Sequence, residues 1–328
     1  MSGPAATIRI VGPNPAVDRI EVLDAFVVHG VNRSTETRTL PGGKAMIVGR
    51  GVRRLGQVPV MYGFLGGSTG GFMRDQLAAL GMIDRHVRIA GETRVTSILV
   101  ERSTGRSTVV NEAGPTVSAE EAQELLHRLD DEVRPDDLVV TTGSLPPGLP
   151  VGFHGDVVAI AQRRGARALV DTSGMALAEA VRRKPWLVKP NFAEFAELTH
   201  EPIDIIDVVG IGLAMQRAVE RFEISHLVVT LGEQGSIHSD GRVSVHATAP
   251  EVEVRNPTGS GDLLLAGLVA SLAAGATMLD ALRAGTAAGS AGASRLEPDL
   301  SGPQELTDLL GGVALRLLDS RLDAPATP

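Results

Sequence analysis

"DLVVTTGSLPPGLPVGFHGDVVAIAQRRGARALVDTS", residues 137–173, contains a complete strand–helix–strand unit. "DLVVTTG" and "RALVDTS" are nearly continuous apolar runs ending in small or polar residues, the form taken by strands covered on both faces. "PVGFHGDVVAIAQRRG" between them has the spacing of an amphipathic helix. The same strand form recurs in "IRIVG", "VPVMYGF", "WLVKPN" and "HLVVTLG", and helical patterns recur in "TGGFMRDQLAALG" and "SAEEAQELLHRLDDEV". In the last of these, Ser118 and Glu121 form a capping box. The alternation predicts an α/β fold with a mainly parallel sheet and helices on both faces. Ligands in such sheets bind beyond the carboxyl ends of the strands. The polar ends "TTGS", "DTSG", "KPN" and "TLGEQGS" are therefore the first candidates for a site.

Two stretches interrupt this rhythm. Residues 14–41 carry "DRIEVLDAFVVHGVNRSTETRTL", and residues 93–112, "TRVTSILVERSTGRSTVVNE", read as two strands turning near Thr104-Gly105. Together they predict a small separate β-sheet over the main one, as either a ligand lid or a solvent-facing hairpin. "SDGRVSV" predicts a further hairpin, and "LDAPATP" a frayed tail.

Composition narrows the function. With 328 residues, the chain is long enough for one large domain and a subdomain. Only 3% of residues are aromatic, so the core is aliphatic. A net charge of −8 argues against nucleic-acid binding, and the lack of cysteine excludes disulfides and thiolate chemistry. The start lacks the charge and apolar pattern of a signal peptide, and "LLLAGLVASLAAGATM" is short for a membrane span. The expectation is a soluble, cytoplasmic protein with no membrane partner.

Familiar nucleotide motifs fail. "RTLPGGKAM" has Arg38 where a Walker A loop needs its first glycine, and Ala45 where it needs Ser or Thr. "GSGDLL" ends in Leu264 instead of the last glycine of a dinucleotide fingerprint, and the eight histidines form no zinc cluster. What remains is "NPTGSGD", residues 256–262, at a helix start. An acid in the first turn stabilises the helix dipole by only about 0.3–1 kcal/mol and needs no glycines before it. A backbone cradle for phosphate does need them. Asp262 beside that cradle makes sense as a base for an attacking hydroxyl. Gly42 and Gly43 also precede a helix, and taken alone they favour an ordinary loop with a close helix–strand approach. Asn191 and Glu194 stand three apart in a capping pattern, and Asp18 fits a turn.

Taken in order, "NPAVD", "PGGK", "TR", "NEAGP", "TTGSLPPGLP", "VDTSG", "KPNFAE", "VVTLGEQGS" and "NPTGSGD" resemble the motifs of PfkB-type carbohydrate kinases of the ribokinase-like fold. "NPA-x-D", "GSLPPG" and "DTSG" are most similar to the 1-phosphofructokinase and tagatose-6-phosphate kinase branch. The resemblance implies a three-layer α/β kinase domain over residues 1–320 with a β lid, residues 321–328 forming a tail. It implies Asp262 as general base, with Gly259, Ser260 and Gly261 as anion hole. Asp18, Gly42, Gly43 and Lys44 would hold the sugar, joined by Ser144. Arg94 and Arg33 would bind a phosphate already on it. Lys189, Thr230 and Gly232 would contact ATP, again with Gly259 and Gly261, and Asn191 and Glu194 would organise Mg²⁺ through water. A homodimer through the lid is a further implication.

The chain departs from the family's Gly-Gly-Lys-Gly-x-Asn at Ala45 and Ile47, and from its Asn and Lys at Thr96 and Ile98. Ile47 cannot hydrogen-bond a hydroxyl. Three readings follow: a kinase acting on a primary hydroxyl of a hexose phosphate; a kinase of an unphosphorylated sugar, polyol or nucleoside; and a non-catalytic sugar-phosphate binder.

Overall fold

The computed structural model of the chain describes residues 6–318, and the tail expected at 321–328 lies outside them. The main sheet runs in the order Leu315–Leu318, Ser244–Ala247, Ser236–Ser239, His226–Thr230, Leu187–Val188, Arg167–Asp171, Leu138–Thr142, Ile8–Gly12, Val60–Gly66, Ile83–Asp84. Val87–Ile89 also pairs with Val60–Gly66. From His226–Thr230 to Ile83–Asp84 every pairing is parallel. The other end is antiparallel, so the sheet is mixed but mainly parallel, as read from the sequence. The "SDGRVSV" hairpin reverses the chain with Ser239 opposite Ser244. Leu315–Leu318, not foreseen in the sequence, then pairs along the hairpin's edge.

Alternate side chains of each strand enter opposite cores, as the period of two requires. Val11, Val139, Val170 and Val229 meet the helices Ala119–Glu132, Phe153–Arg163, Gly174–Val181 and Val208–Phe222 on one face. Ile10, Val140, Leu169 and Val228 meet Lys44–Arg54, Gly67–Ala79, Ser260–Ala273 and Met278–Ala293 on the other. The expected three layers are present. No helix among the described residues is long and apolar enough to cross a membrane.

The second sheet has four strands in the order Glu36–Gly42, Ala16–Leu23, Arg94–Glu101, Ser107–Asn111. The two interrupting stretches thus pair with each other, through a parallel contact between Ala16–Leu23 and Arg94–Glu101. Both of those strands leave the main layer close to the carboxyl ends of main-sheet strands: Ala16 follows Ile8–Gly12, and Arg94 follows Val87–Ile89. In register, Asp18, Thr96 and Asn111 form one row across the small sheet. Ile20, Ile98 and Val109 form the next row on the same face.

Candidate active site

The helix Ser260–Ala273 starts from Gly259, whose φ of 81° is a left-handed value that glycine adopts without strain. A β-carbon there would also meet Pro298 at 2.7 Å. The turn therefore brings bare main chain to the helix start, where Ser260 N donates to Pro257 O at 3.2 Å and Asp262 N to Gly259 O at 3.1 Å. Asp262 lies in the first turn of this helix and is 7% exposed. Burial raises its pKa to about 6; Lys44 opposes the rise, Asp171 adds to it, Lys189 opposes and Glu194 adds. A carboxylate poised there is a far better proton acceptor than a free aspartate.

The balancing charges come from three strand ends. Asp171 closes the strand Arg167–Asp171 and is fully buried. Its Oδ1 is 3.1 Å from Lys44 Nζ and 3.4 Å from Lys189 Nζ, and Thr142 Oγ1 donates to its Oδ2 at 3.3 Å. Burial alone would raise the Asp171 pKa, but Lys189 and Lys44 together hold it below the usual range. Lys44 in turn is driven upward, mainly by Asp171 against the cost of burial. Lys189 Nζ is also 3.7 Å from the point where a side chain at Gly261 would begin. Two ammonium groups thus lie between two buried carboxylates, with one beside the glycine turn. Asp171 is absent from the candidate residues read from the sequence. Its signal there is the carboxylate closing an otherwise apolar strand, in "RALVDTS".

A cavity of about 180 Å³ is lined, among others, by Asn14, Lys44, Arg94, Ser144, Thr172 and Ser173. Its floor at Gly143 is braced from below. Thr172 Oγ1 donates to Gly143 O at 2.8 Å, and His154 Nε2 is 3.2 Å from the same oxygen. That carbonyl only accepts, so Nε2 carries the proton and Nδ1 accepts from Thr141 Oγ1 at 2.7 Å. Burial lowers the His154 pKa to about 4, consistent with a neutral brace.

Asp18 reaches from the small-sheet strand Ala16–Leu23 toward Gly42, where any β-carbon would lie 2.0 Å from its carboxyl carbon. This explains the glycine: Gly42 makes room for the acid. Burial raises Asp18 to about 6, against the pull of Arg50 and Arg94. Gly43 and Lys44 line the cavity with Ser144 and Arg94. Arg94 is less free than expected. Its Nε and Nη2 donate to Asn14 O at 3.3 and 3.2 Å, and its Nη1 donates to Glu112 O at 3.1 Å. A guanidinium has five N–H donors, so two remain for an anion. Arg33 is exposed in the loop between the small-sheet strands Ala16–Leu23 and Glu36–Gly42 and does not line this cavity.

Asn191 and Glu194 form the reciprocal cap that their spacing allowed: Glu194 N donates to Asn191 Oδ1 at 2.9 Å and Asn191 N donates to Glu194 Oε2 at 2.8 Å. Thr230 joins Asn191 by a parallel bridge, and Gly232 opens a short 3₁₀ turn just beyond, with no atom near the space of a β-carbon. Ile47 turns away from the cavity. It packs with Leu263, Ala288, Ala291 and Leu300, and its Cδ1 is 3.3 Å from where a Gly259 side chain would start. Its departure from the family's Asn thus supplies apolar support under the glycine turn. Thr96 is buried and donates to Asn111 Oδ1 at 3.1 Å.

Residues 14–304 match the pfkB family of carbohydrate kinases. The chain belongs to that family. This pfkB-family chain is 31% identical over 261 residues to a tagatose-6-phosphate kinase of Staphylococcus epidermidis, covering 79% of the chain and 83% of that protein. It is 31% identical over 279 residues to a 1-phosphofructokinase of Bacillus subtilis, covering 85% and 89%. Among solved structures, phosphofructokinase-2 of Escherichia coli with substrates and products superposes at a TM-score of 0.87 and 26% identity, over 93% of the chain and 99% of that one. A ribokinase of Thermotoga maritima shares the fold at a TM-score of 0.74 and 18% identity, over 93% and 99%. The chain is therefore a carbohydrate kinase with a ribokinase-like fold.

Proposed function

We propose that this kinase transfers the γ-phosphoryl group of ATP to a primary hydroxyl of a hexose phosphate, with Asp262 as general base. The observation that carries the proposal is the buried carboxylate of Asp262 at the glycine-turn helix start, with Lys189 beside Gly261. The acceptor O–H gives its proton to Asp262, and the freed oxygen bonds to the γ-phosphorus. The bond from that phosphorus to the β–γ bridging oxygen breaks, and ADP leaves. The Gly259–Gly261 main chain and Lys189 would meet the charge on the moving phosphoryl group, in a pocket where such donors act strongly.

Lys44 and Ser144 would hold the acceptor together with Asp18, Gly42, Gly43 and Arg94, while Thr230 and Gly232 would lie along ATP. Glu194 and Asn191 fit Mg²⁺ in the way that ion prefers, through one carboxylate, waters and phosphates. The cap uses one lone pair of each side-chain oxygen it engages and leaves others for water. Bound there, Mg²⁺ would neutralise phosphate charge. We place the reaction in the cytoplasm.

Names of relatives favour a phosphorylated acceptor: one is a tagatose-6-phosphate kinase and another a 1-phosphofructokinase. The three main-chain bonds of Arg94 keep an unphosphorylated acceptor as the second reading. A panel of tagatose 6-phosphate, fructose 1-phosphate and the matching free sugars with Mg·ATP separates them. Sugar phosphates should turn over fastest, and Arg94→Ala should raise their KM roughly tenfold or more while hardly affecting a free sugar, as loss of a charged hydrogen bond does. Faster turnover of free sugars, unaffected by Arg94→Ala, would reverse the assignment.

We also propose a homodimer through the lid, whose strand Ser107–Asn111 and loop 24–35 expose Val109, Val110, Val27, Val28 and Val31. Light scattering on the purified protein should give about twice the chain's 34.3 kDa. Replacing Val109 and Val110 by Lys should return it to one chain's mass, and a wild-type monomer would refute this arrangement.

A further inference from the structure

We propose that Asn14 is a positioning residue that presents Ser144 to the acceptor's phosphate as a hydrogen-bond donor. This rests on the reading of the acceptor as a sugar phosphate. Asn14 is 8% exposed and sits between the strand Ile8–Gly12 and the lid. One terminal atom of its amide lies 3.1 Å from Ala113 O and 3.1 Å from Ser144 Oγ. A main-chain carbonyl cannot donate, so the atom facing Ala113 must be Nδ2. The same nitrogen therefore donates to Ser144, which makes the Ser144 oxygen an acceptor and keeps its own proton available to a ligand. Lys44 and Arg94 line the same cavity, so that proton joins two cationic groups.

Asn14 acts on both sides of this arrangement. Its side chain sets Ser144, while its main-chain oxygen takes two of Arg94's bonds. Changing the side chain disturbs the first and leaves the second in place. The two halves are thus separable by mutation.

The experiment compares wild type with Asn14→Ala, Asn14→Asp, Ser144→Ala and the Asn14→Ala/Ser144→Ala double variant. Each is assayed with Mg·ATP and whichever of tagatose 6-phosphate and fructose 1-phosphate wild type uses faster, and with the free sugar. Asn14→Ala should raise the KM for the sugar phosphate roughly tenfold, leaving KM for ATP and kcat within about twofold. The double variant should be no worse than Ser144→Ala, because contacts that act through one group do not add. Asn14→Asp preserves the volume but would draw the Ser144 proton toward itself and add negative charge. It should lose more than Asn14→Ala on the sugar phosphate and little on the free sugar, and it keeps the test open should Asn14→Ala fold poorly. Additive losses in the double variant, or equal losses on both sugars, would overturn the role of Asn14 while leaving the kinase assignment intact. A wild type that phosphorylates neither sugar phosphate would remove the premise and the proposal together.

Discussion

Asp262→Asn should lower kcat about 10²–10⁴-fold, the range a well-placed general base supplies, while ATP still binds with near-normal affinity. Asparagine keeps the volume and the helix start but cannot take the acceptor's proton. In wild type, with the Asp262 pKa raised to about 6, kcat/KM should fall as pH drops through about 6 and the base becomes protonated. The residual activity of the variant should lack that limb. Stability should change in the opposite direction. A carboxyl raised in the folded state from 3.8 to about 6 destabilises the fold wherever it is ionised. Removing the charge should therefore stabilise the protein above pH 6, by at most on the order of 3 kcal/mol from the size of the shift. The gain should shrink as pH falls from 6 and be gone below about 3.8, where the carboxyl is neutral in both states. Thermal melts across pH, read beside the rate profile, would check both halves. Near-normal turnover in Asp262→Asn would remove it from the chemistry.

Sequence alone disclosed most of the layer order, because strands with both faces covered and helices with one covered face leave different apolar spacings. "IRIVG" and "HLVVTLG" are visible for that reason. Leu315–Leu318 is not, since four residues at a sheet edge with three of them exposed leave no such contrast. The site divides in the same way. Gly259–Gly261 and Asp262 are adjacent in the chain, and their local pattern conflicts with a purely structural role. Asp171, by contrast, takes its meaning from Lys44, 127 positions away, and from Lys189. No local pattern pairs them; the parallel sheet does, by bringing several strand ends to one edge. Ile47 shows the converse error. Its apolar side chain cannot bind a hydroxyl, but it packs among the helices and supports the glycine turn instead of the acceptor.

Asp171→Asn should differ from Asp262→Asn in sign as well as size. Asp171 is itself fully buried and is the shared partner of two ammonium groups, of which Lys189 is only 3% exposed while Lys44 opens onto the cavity. Removing one member of a buried ion cluster leaves the others uncompensated, which costs about 3–5 kcal/mol, so this variant should melt well below wild type. Asp262 remains as a buried carboxylate that already feels the pull of both lysines. Once Asp171 no longer holds them, and no longer repels Asp262 itself, the Asp262 pKa should drop. Its acid limb should then move to lower pH than in wild type. A weaker base paired to lysine would also be a slower one, so kcat should fall even where Asp262 is fully ionised. One carboxylate would thus keep the other strong, at the cost of a packed arrangement that fails when it is removed. Unfolding curves and a pH–rate profile of Asp171→Asn would decide the matter. If the limb stays near pH 6 and the melt is unchanged, the lysines are satisfied elsewhere, and Asp262 owes its high pKa to burial alone.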